Sequence, residues 1–204
     1  MKLYFTPGSC GLAAQIALRE AGVAVDLVKV DFGTKRTAEG DYLQVNPKGF
    51  IPSLKLESGE VVTENAVILQ WIADAYPGAS LLPPMGSMER YRALEWLNYV
   101  ATDLHKGMAV MFSGFIDRDS KVRFAEGNLA SRFEYVDDHL ANNDYVLGDQ
   151  FSAVDGYLYN VLRWPVRVNV DISVFAGIQA YMRRMEQRPA VIAAIEAEGP
   201  AAKY

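Results

Sequence analysis

The chain has 204 residues, half of them hydrophobic, a formal net charge of −5 and a single cysteine. That size and apolar content suit one compact body, or two modest domains with a sizeable core. Scattered basic residues argue against a nucleic-acid protein, and no apolar run approaches the ~20 residues needed to cross a membrane.

The N-terminus lacks the basic-then-apolar pattern of an export signal, because Pro7 and Gly8 arrive too early. With one cysteine this predicts a reducing, cytoplasmic setting. One cysteine and two histidines far apart in sequence offer no metal constellation.

In chain order, KLYF at 2–5 predicts a short buried strand, and residues 12–22 a helix with Gly22 near its C-cap. VAVDLVKVD at 23–31 alternates and predicts a second strand. Asn46 to Gly49 predicts a turn. SLKLE at 53–57, Ser58-Gly59 and EVVT at 60–63 predict a β-hairpin. Asn65 to Tyr76 predicts a helix that Pro77-Gly78 ends.

Beyond PGASLLPPMGS at 77–87 only helices are predicted, over 88–112, 121–142, 153–168, 175–187 and 189–197. Gly107 is a point where the first of these can bend. Ser152-x-x-Asp155 has capping-box spacing and predicts a helix start and nothing more. The fold class is therefore α/β plus all-α. A thioredoxin-like βαβ-ββα domain is expected over 1–78, a linker over 79–87 and an all-helical domain over 88–204.

Three stretches of the first half carry chemistry. Cys10 stands where a helix begins, directly after Ser9. There the dipole and free N–H groups favour a thiolate, and the Pro7-Gly8 turn would present residues 9 and 10 to solvent. Ser9 suits the N-cap. A small buried hydrophobe is the other reading of Cys10. In GFIPSL, a cis Pro52 would turn the Ile51 backbone outward to pair with an extended peptide, whereas a trans Pro52 would merely start a strand. In VVTENAV, Asn65 opens a helix whose N–H groups would take a carboxylate, with Glu64 free to take an ammonium. Simple capping by Glu64 and Asn65 is the other reading.

In the second half, Asn98, Thr102 and His105 stand at i, i+4 and i+7 and would share one helix face, turned either to a cleft or to solvent. His139 reads as a surface residue near a helix end.

YFTPGSC, NPKGFIPSL, TENAVILQWIAD and EWLNYVATDLHKG together resemble the cytosolic glutathione transferases, most closely the bacterial beta class, along the whole chain. The resemblance implies glutathione as co-substrate and conjugation of its thiolate to apolar electrophiles. Cys10 would lie beside the glutathione sulfur, able to form a mixed disulfide, with His105 near it from the helical half. Ile51, before a cis Pro52, would pair with the cysteinyl backbone. Glu64 and Asn65 would hold the γ-glutamyl end, although the family usually has Ser or a small residue at position 65. Lys35 would approach the glycine carboxylate, while Ser9 and Lys106 would complete the glutathione contacts. Asn98 and Thr102 would reach a glutathione in the partner of a homodimer.

Met108, Met111, Phe112, Tyr157 and Trp164 would line an electrophile site between the two halves, or else form core. A glutathione-dependent thiol-disulfide oxidoreductase or peroxide reductase working through Cys10 is the alternative activity. A non-catalytic interaction protein is the alternative outside enzymes. No metal, nucleic-acid or membrane partner is expected.

Overall fold

The structure is a computed structural model that describes residues 1–199. They form two units, Met1–Leu82 with the last helix, and Pro83–Arg188.

The first unit runs β1 (Lys2–Phe5), α1 (Gly11–Glu20), β2 (Asp26–Lys29), β3 (Arg36–Thr37), β4 (Gly40–Asp41), β5 (Ser53–Lys55), β6 (Val61–Thr63) and α2 (Asn65–Ala75). The main sheet has the order β2-β1-β5-β6. β1 and β2 are parallel, with Leu3 opposite Leu27, and the other pairs are antiparallel, with Leu54 opposite both Leu3 and Val62. This is the thioredoxin-like arrangement the element order predicts.

The expected strand over 23–31 keeps only its middle. Val23 N–H bonds to Leu18 O at 2.9 Å and Gly22 N–H to Arg19 O at 3.0 Å, the paired bonds that close a helix around a left-handed glycine. Gly22 supplies that conformation, with φ +68°. At the far end Asp31 N–H turns away to Arg36 O, which leads into the β3–β4 hairpin. That hairpin has no sequence signature, because RTAEGD lacks apolar alternation.

The second unit contains α3 (Met88–Tyr99), a π-helical turn (Val100–His105), α4 (Lys106–Phe112), α5 (Arg118–Phe124), a second π-helical turn (Ala125–Leu129), α6 (Ala130–Leu140), α7 (Ala153–Leu162), a 3-10 turn (Pro165–Val168) and α8 (Ala176–Glu186). The expected helices over 88–112 and 121–142 are thus each interrupted by a π turn. One extra residue in a turn barely disturbs an apolar period of 3.6, so the pattern does not announce it. Leu129 closes the second π turn against Gly107, where an added Cβ would lie 2.8 Å from Leu129 Cδ2.

The capping box forms and does more than start α7. Asp155 Oδ2 accepts Ser152 N–H at 2.8 Å and Ser152 Oγ–H at 2.7 Å, and Oδ1 accepts Val146 N–H at 2.8 Å. Tyr181 of α8 donates to the Asp155 carbonyl at 2.8 Å. His139 also departs from its surface reading. Its ring lies 4.6 Å from Trp96, and Nε2 meets Val146 O at 2.8 Å.

The remaining helix, α9 (Pro189–Glu198), packs on α1 and belongs to the first unit, not with the helices that precede it. With α9 and α2 against it and the sheet beside it, α1 is buried from Gly11 to Leu18, Gln15 included. A helix covered on every side needs no polar face.

Candidate functional site

In the first unit the chain leaves β1 through Thr6-Pro7-Gly8-Ser9, closed by Ser9 N–H to Thr6 O at 3.1 Å. Gly8 sits at φ +74°, a conformation that favours glycine. Ser9 is not the N-cap. Its Oγ accepts Gly11 N–H at 3.3 Å, and Cys10 takes the N-cap position. Gly11 must be small, because a Cβ there would stand 3.0 Å from Phe5 Cβ.

Cys10 is not presented to solvent as expected. It is 7 % exposed, and its thiol donates to Ile51 O at 3.4 Å. Such a bond suits the protonated sulfur, since a thiolate would face a carbonyl oxygen. It therefore opposes the helix-dipole effect on Cys10.

The Ile51–Pro52 bond is cis. The loop that carries it is clasped from behind. Phe50 O accepts Tyr42 Oη–H at 2.6 Å and Asn46 Nδ2–H at 2.7 Å, Tyr42 Oη also meets Ser53 Oγ at 2.7 Å, and Lys35 Nζ donates to Gly49 O at 2.9 Å. Tyr42, Asn46 and Ser53 were not legible as site residues, and the NPKG turn was their one signal. Ile51 N–H meets no acceptor among the described residues. Tyr4, the tyrosine nearest the N-terminus, donates its hydroxyl to Glu39 at 3.2 Å.

Glu64 links β6 to α2 at φ +67°, an unusual conformation for a side chain with a Cβ. Its carboxylate does not cap α2 but pairs with Lys48. Asn65 does not cap either. It is 6 % exposed, and both polar atoms of its amide lack a hydrogen-bond partner. Capping therefore does not explain this pair. The first N–H groups of α2, like those of any helix, have no acceptor within the helix.

In the second unit the π turn divides the expected polar stripe. Asn98 and Thr102 are exposed, and Thr102 Oγ–H reaches Asn98 O at 3.0 Å and Asp103 Oδ2 at 2.8 Å. His105 turns inward. Its Nδ1 lies 2.7 Å from Tyr157 Oη, and its ring is 4.9 Å from that of Trp164. Lys106 stays exposed.

Burial, helped by the positive charge of Lys106, lowers the His105 pKa to about 4. His105 is then neutral at working pH, so one ring nitrogen carries the proton, and Nδ1 and the Tyr157 hydroxyl share a hydrogen bond in which either can donate. A group depressed from 6.5 to about 4 loses its charge change near neutrality. The pH profile of kcat/KM should show no His105 inflection between pH 5.5 and 7.5 (about one unit either side of the free value). Tyr157→Phe removes the hydrogen bond at Nδ1, and two-dimensional imidazole NMR should show the balance of the two neutral tautomers shift.

Of the proposed electrophile lining, Met108, Met111, Tyr157 and Trp164 are buried. Phe112 alone is half-exposed, edge-on to Trp164 at 6.2 Å. Among the described residues no group of His, Cys, Asp and Glu could hold a metal ion, and no helix is long and apolar enough to cross a membrane.

A thioredoxin-like unit, with a positive-φ residue before α2, is followed in the chain by a helical unit. Residues 1–74 match the family described as the glutathione S-transferase N-terminal domain, and residues 99–189 its C-terminal domain. The chain is 42% identical to glutathione S-transferase GstA of Escherichia coli O157:H7, over 98% of this chain and 99% of that one.

Among solved structures, BphK, a bacterial transferase in a ternary complex, superposes with a TM-score of 0.94 at 44% identity, over 98% of this chain and all of the other (100%). The beta-class transferase of Sphingomonas chungbukensis superposes with a TM-score of 0.93 at 41% identity, over 98% of this chain and 99% of that one. A sphingomonad transferase in complex with glutathione reaches a TM-score of 0.94 at 42% identity, over 98% of this chain and 100% of that one. The chain belongs to the glutathione S-transferase family, in its bacterial beta class, with glutathione as co-substrate.

Proposed function

We propose that this enzyme transfers the glutathione thiolate to small apolar electrophiles from a glutathione site built on the turns of the first unit. The observation that carries the placement is the orphaned amide of Asn65. A buried amide without partners is costly to the fold. It stands at the open N-terminus of α2, beside the carboxylate of Glu64, so a zwitterionic γ-glutamyl group finds donors for its carboxylate and an acceptor for its ammonium.

Ile51 N–H, free of other acceptors, pairs with the cysteinyl carbonyl of glutathione, with cis Pro52 next to it. Lys35 holds the glycine carboxylate, and Ser9 adds a polar contact. The sulfur lies beside Cys10. In the second unit His105 is neutral, so what it can offer a ligand is a hydrogen bond and not a positive charge. Of the expected apolar lining, Phe112 alone offers exposed surface to the electrophile, and Met108, Met111, Tyr157 and Trp164 are core residues of the second unit. In a homodimer, Asn98 and Thr102 approach the partner's glutathione. A reducing cytoplasm, rich in glutathione, suits the lone cysteine.

Two variants test the placement. Asn65→Ala should raise the glutathione Kd about tenfold by removing one amide's pair of hydrogen bonds, while thermal stability stays level or rises because an unmet polar group leaves the interior. Unchanged glutathione affinity would remove Asn65 from the site. Cys10→Ala should spare conjugation and abolish the mixed disulfide with oxidised glutathione, as read by intact mass. Loss of conjugation would instead make Cys10 a working part of the transfer, and a wild-type enzyme that exchanges disulfides but does not conjugate would favour the thiol-disulfide oxidoreductase.

A further inference from the structure

Helix α9 is apolar on the side that packs into the first unit, except at its end. Val191, Ala194 and Glu198 follow one another at i, i+3 and i+7, and all three are buried. The third place of this stripe is a carboxylate that is 6 % exposed. A carboxylate in such surroundings is costly unless hydrogen bonds replace its water.

Glu198 has those bonds, and they lead to the turn that carries the thiol. Oε2 accepts the backbone N–H of Gly8 at 2.8 Å, and Oε1 accepts Gln15 Nε2–H, from a fully buried side chain of α1, at 2.9 Å. Gly8, with its positive φ, is the pivot of the Thr6–Ser9 turn and lies two residues before Cys10. An aliphatic side chain at position 198 would extend the stripe but leave the Gly8 N–H without its acceptor.

We infer that Glu198 is a positioning residue for Cys10. From the far end of the chain, it fixes the Gly8 peptide and with it the direction in which α1 presents its first residues, so that the thiol stays against the Ile51 carbonyl. Glu198 would act on the thiol through the Gly8 peptide that it holds.

The test compares Glu198→Ala, Glu198→Gln and Val191→Ala in the full-length enzyme, reading the second-order rate of Cys10 alkylation by iodoacetamide, the glutathione KM and kcat, and the melting temperature. Glu198→Ala should free the turn and speed alkylation about tenfold, one charge-assisted hydrogen bond's worth, with KM rising more than kcat falls.

Glu198→Gln should restore the wild-type rate. Its Oε1 can keep the Gly8 N–H, and Gln15 Oε1, which has no partner, can rotate to accept the new amide. Val191→Ala should lower the melting temperature without moving the alkylation rate. An unchanged rate in Glu198→Ala, or an equal change in Val191→Ala, would overturn the proposal.

If Glu198→Ala does not fold, Glu198→Asp, which keeps the charge and shortens the reach, takes its place, and a wild-type alkylation rate there is equally fatal. Only the KM readout rests on the proposed glutathione site. Faster alkylation with an unchanged KM supports the positioning role and counts against that placement of glutathione.

Discussion

Asp155→Ala will lower the unfolding free energy by about 4 kcal/mol, the range expected when a buried hydrogen-bond network is broken. The carboxylate accepts from Ser152 N–H, Ser152 Oγ–H and Val146 N–H, and the same residue's carbonyl accepts from Tyr181. Truncation leaves the first three donors in a region closed to water. Two residues further on, α7 carries Tyr157, the partner of His105, so activity should fall before the chain unfolds. Urea denaturation of wild type and variant checks the stability, and a normal midpoint in the variant would show that the network is dispensable.

A pH dependence follows with a definite sign. Burial raises the Asp155 pKa from 3.8 to about 6, against the pull of the hydrogen bonds from Val146 and Ser152. In the window between those values the native state holds a proton that the unfolded chain has released. The contribution of this group to stability therefore grows as pH falls through about 6 and is complete below the unfolded value. Asp155→Asn does not titrate, so the stability gap between wild type and Asp155→Asn should be wider at mildly acid pH than at neutrality. A gap that narrows on acidification would contradict the raised value.

Gly177→Ala will be the more damaging of two small helix substitutions. A Cβ at Gly177 would stand 2.7 Å from Asp137 O and 3.0 Å from Ala141 N, both backbone atoms of the α6 region. Backbone cannot step aside, so α6 and α8 must separate. That also strains the Asp137 carboxylate that accepts Ile178 N–H at 2.8 Å and so caps α8 from a neighbouring helix. The cost should be about 3 kcal/mol, the upper part of the range for overpacking.

Gly107→Ala makes an equally close approach, 2.8 Å, but only to the tip of Leu129. A flexible side chain can turn, and alanine gains helix propensity, so this variant should lose about 1 kcal/mol or less. Thermal melts of the pair decide the matter, and equal losses would show that the α6–α8 spacing is softer than it looks.

The placement of the candidate residues on turns and helix starts was legible in residue order. Cys10 at the start of α1, Pro52 after Ile51 and the Glu64–Asn65 pair lie where turn chemistry and helix starts place them, because each depends on neighbours a few positions away. The clasp of Tyr42, Asn46 and Ser53 behind the Ile51 loop was not legible. Its members are ordinary polar residues until the loop folds over them. Likewise, the i, i+4, i+7 spacing of Asn98, Thr102 and His105 suggested one face, and a π turn of a single extra residue rotated His105 away from the other two.

The sequence by itself determined the order of elements, the thioredoxin-like half followed by helices, the start of α7 at its capping box and the family to which these belong. All of these follow from local periodicity, turn residues and short motifs. Tertiary structure decided the chemical state of the groups: a Cys10 thiol bonded to a carbonyl instead of facing solvent, a neutral His105, a buried Asp155 whose pKa is raised to about 6, and an Asn65 amide without a partner. It also decided that α9 closes over α1 and delivers Glu198 to Gly8, across 190 positions of chain. Desolvation and hydrogen-bond partnership are set by atoms brought together from distant parts of the chain, and no pattern of near neighbours encodes them.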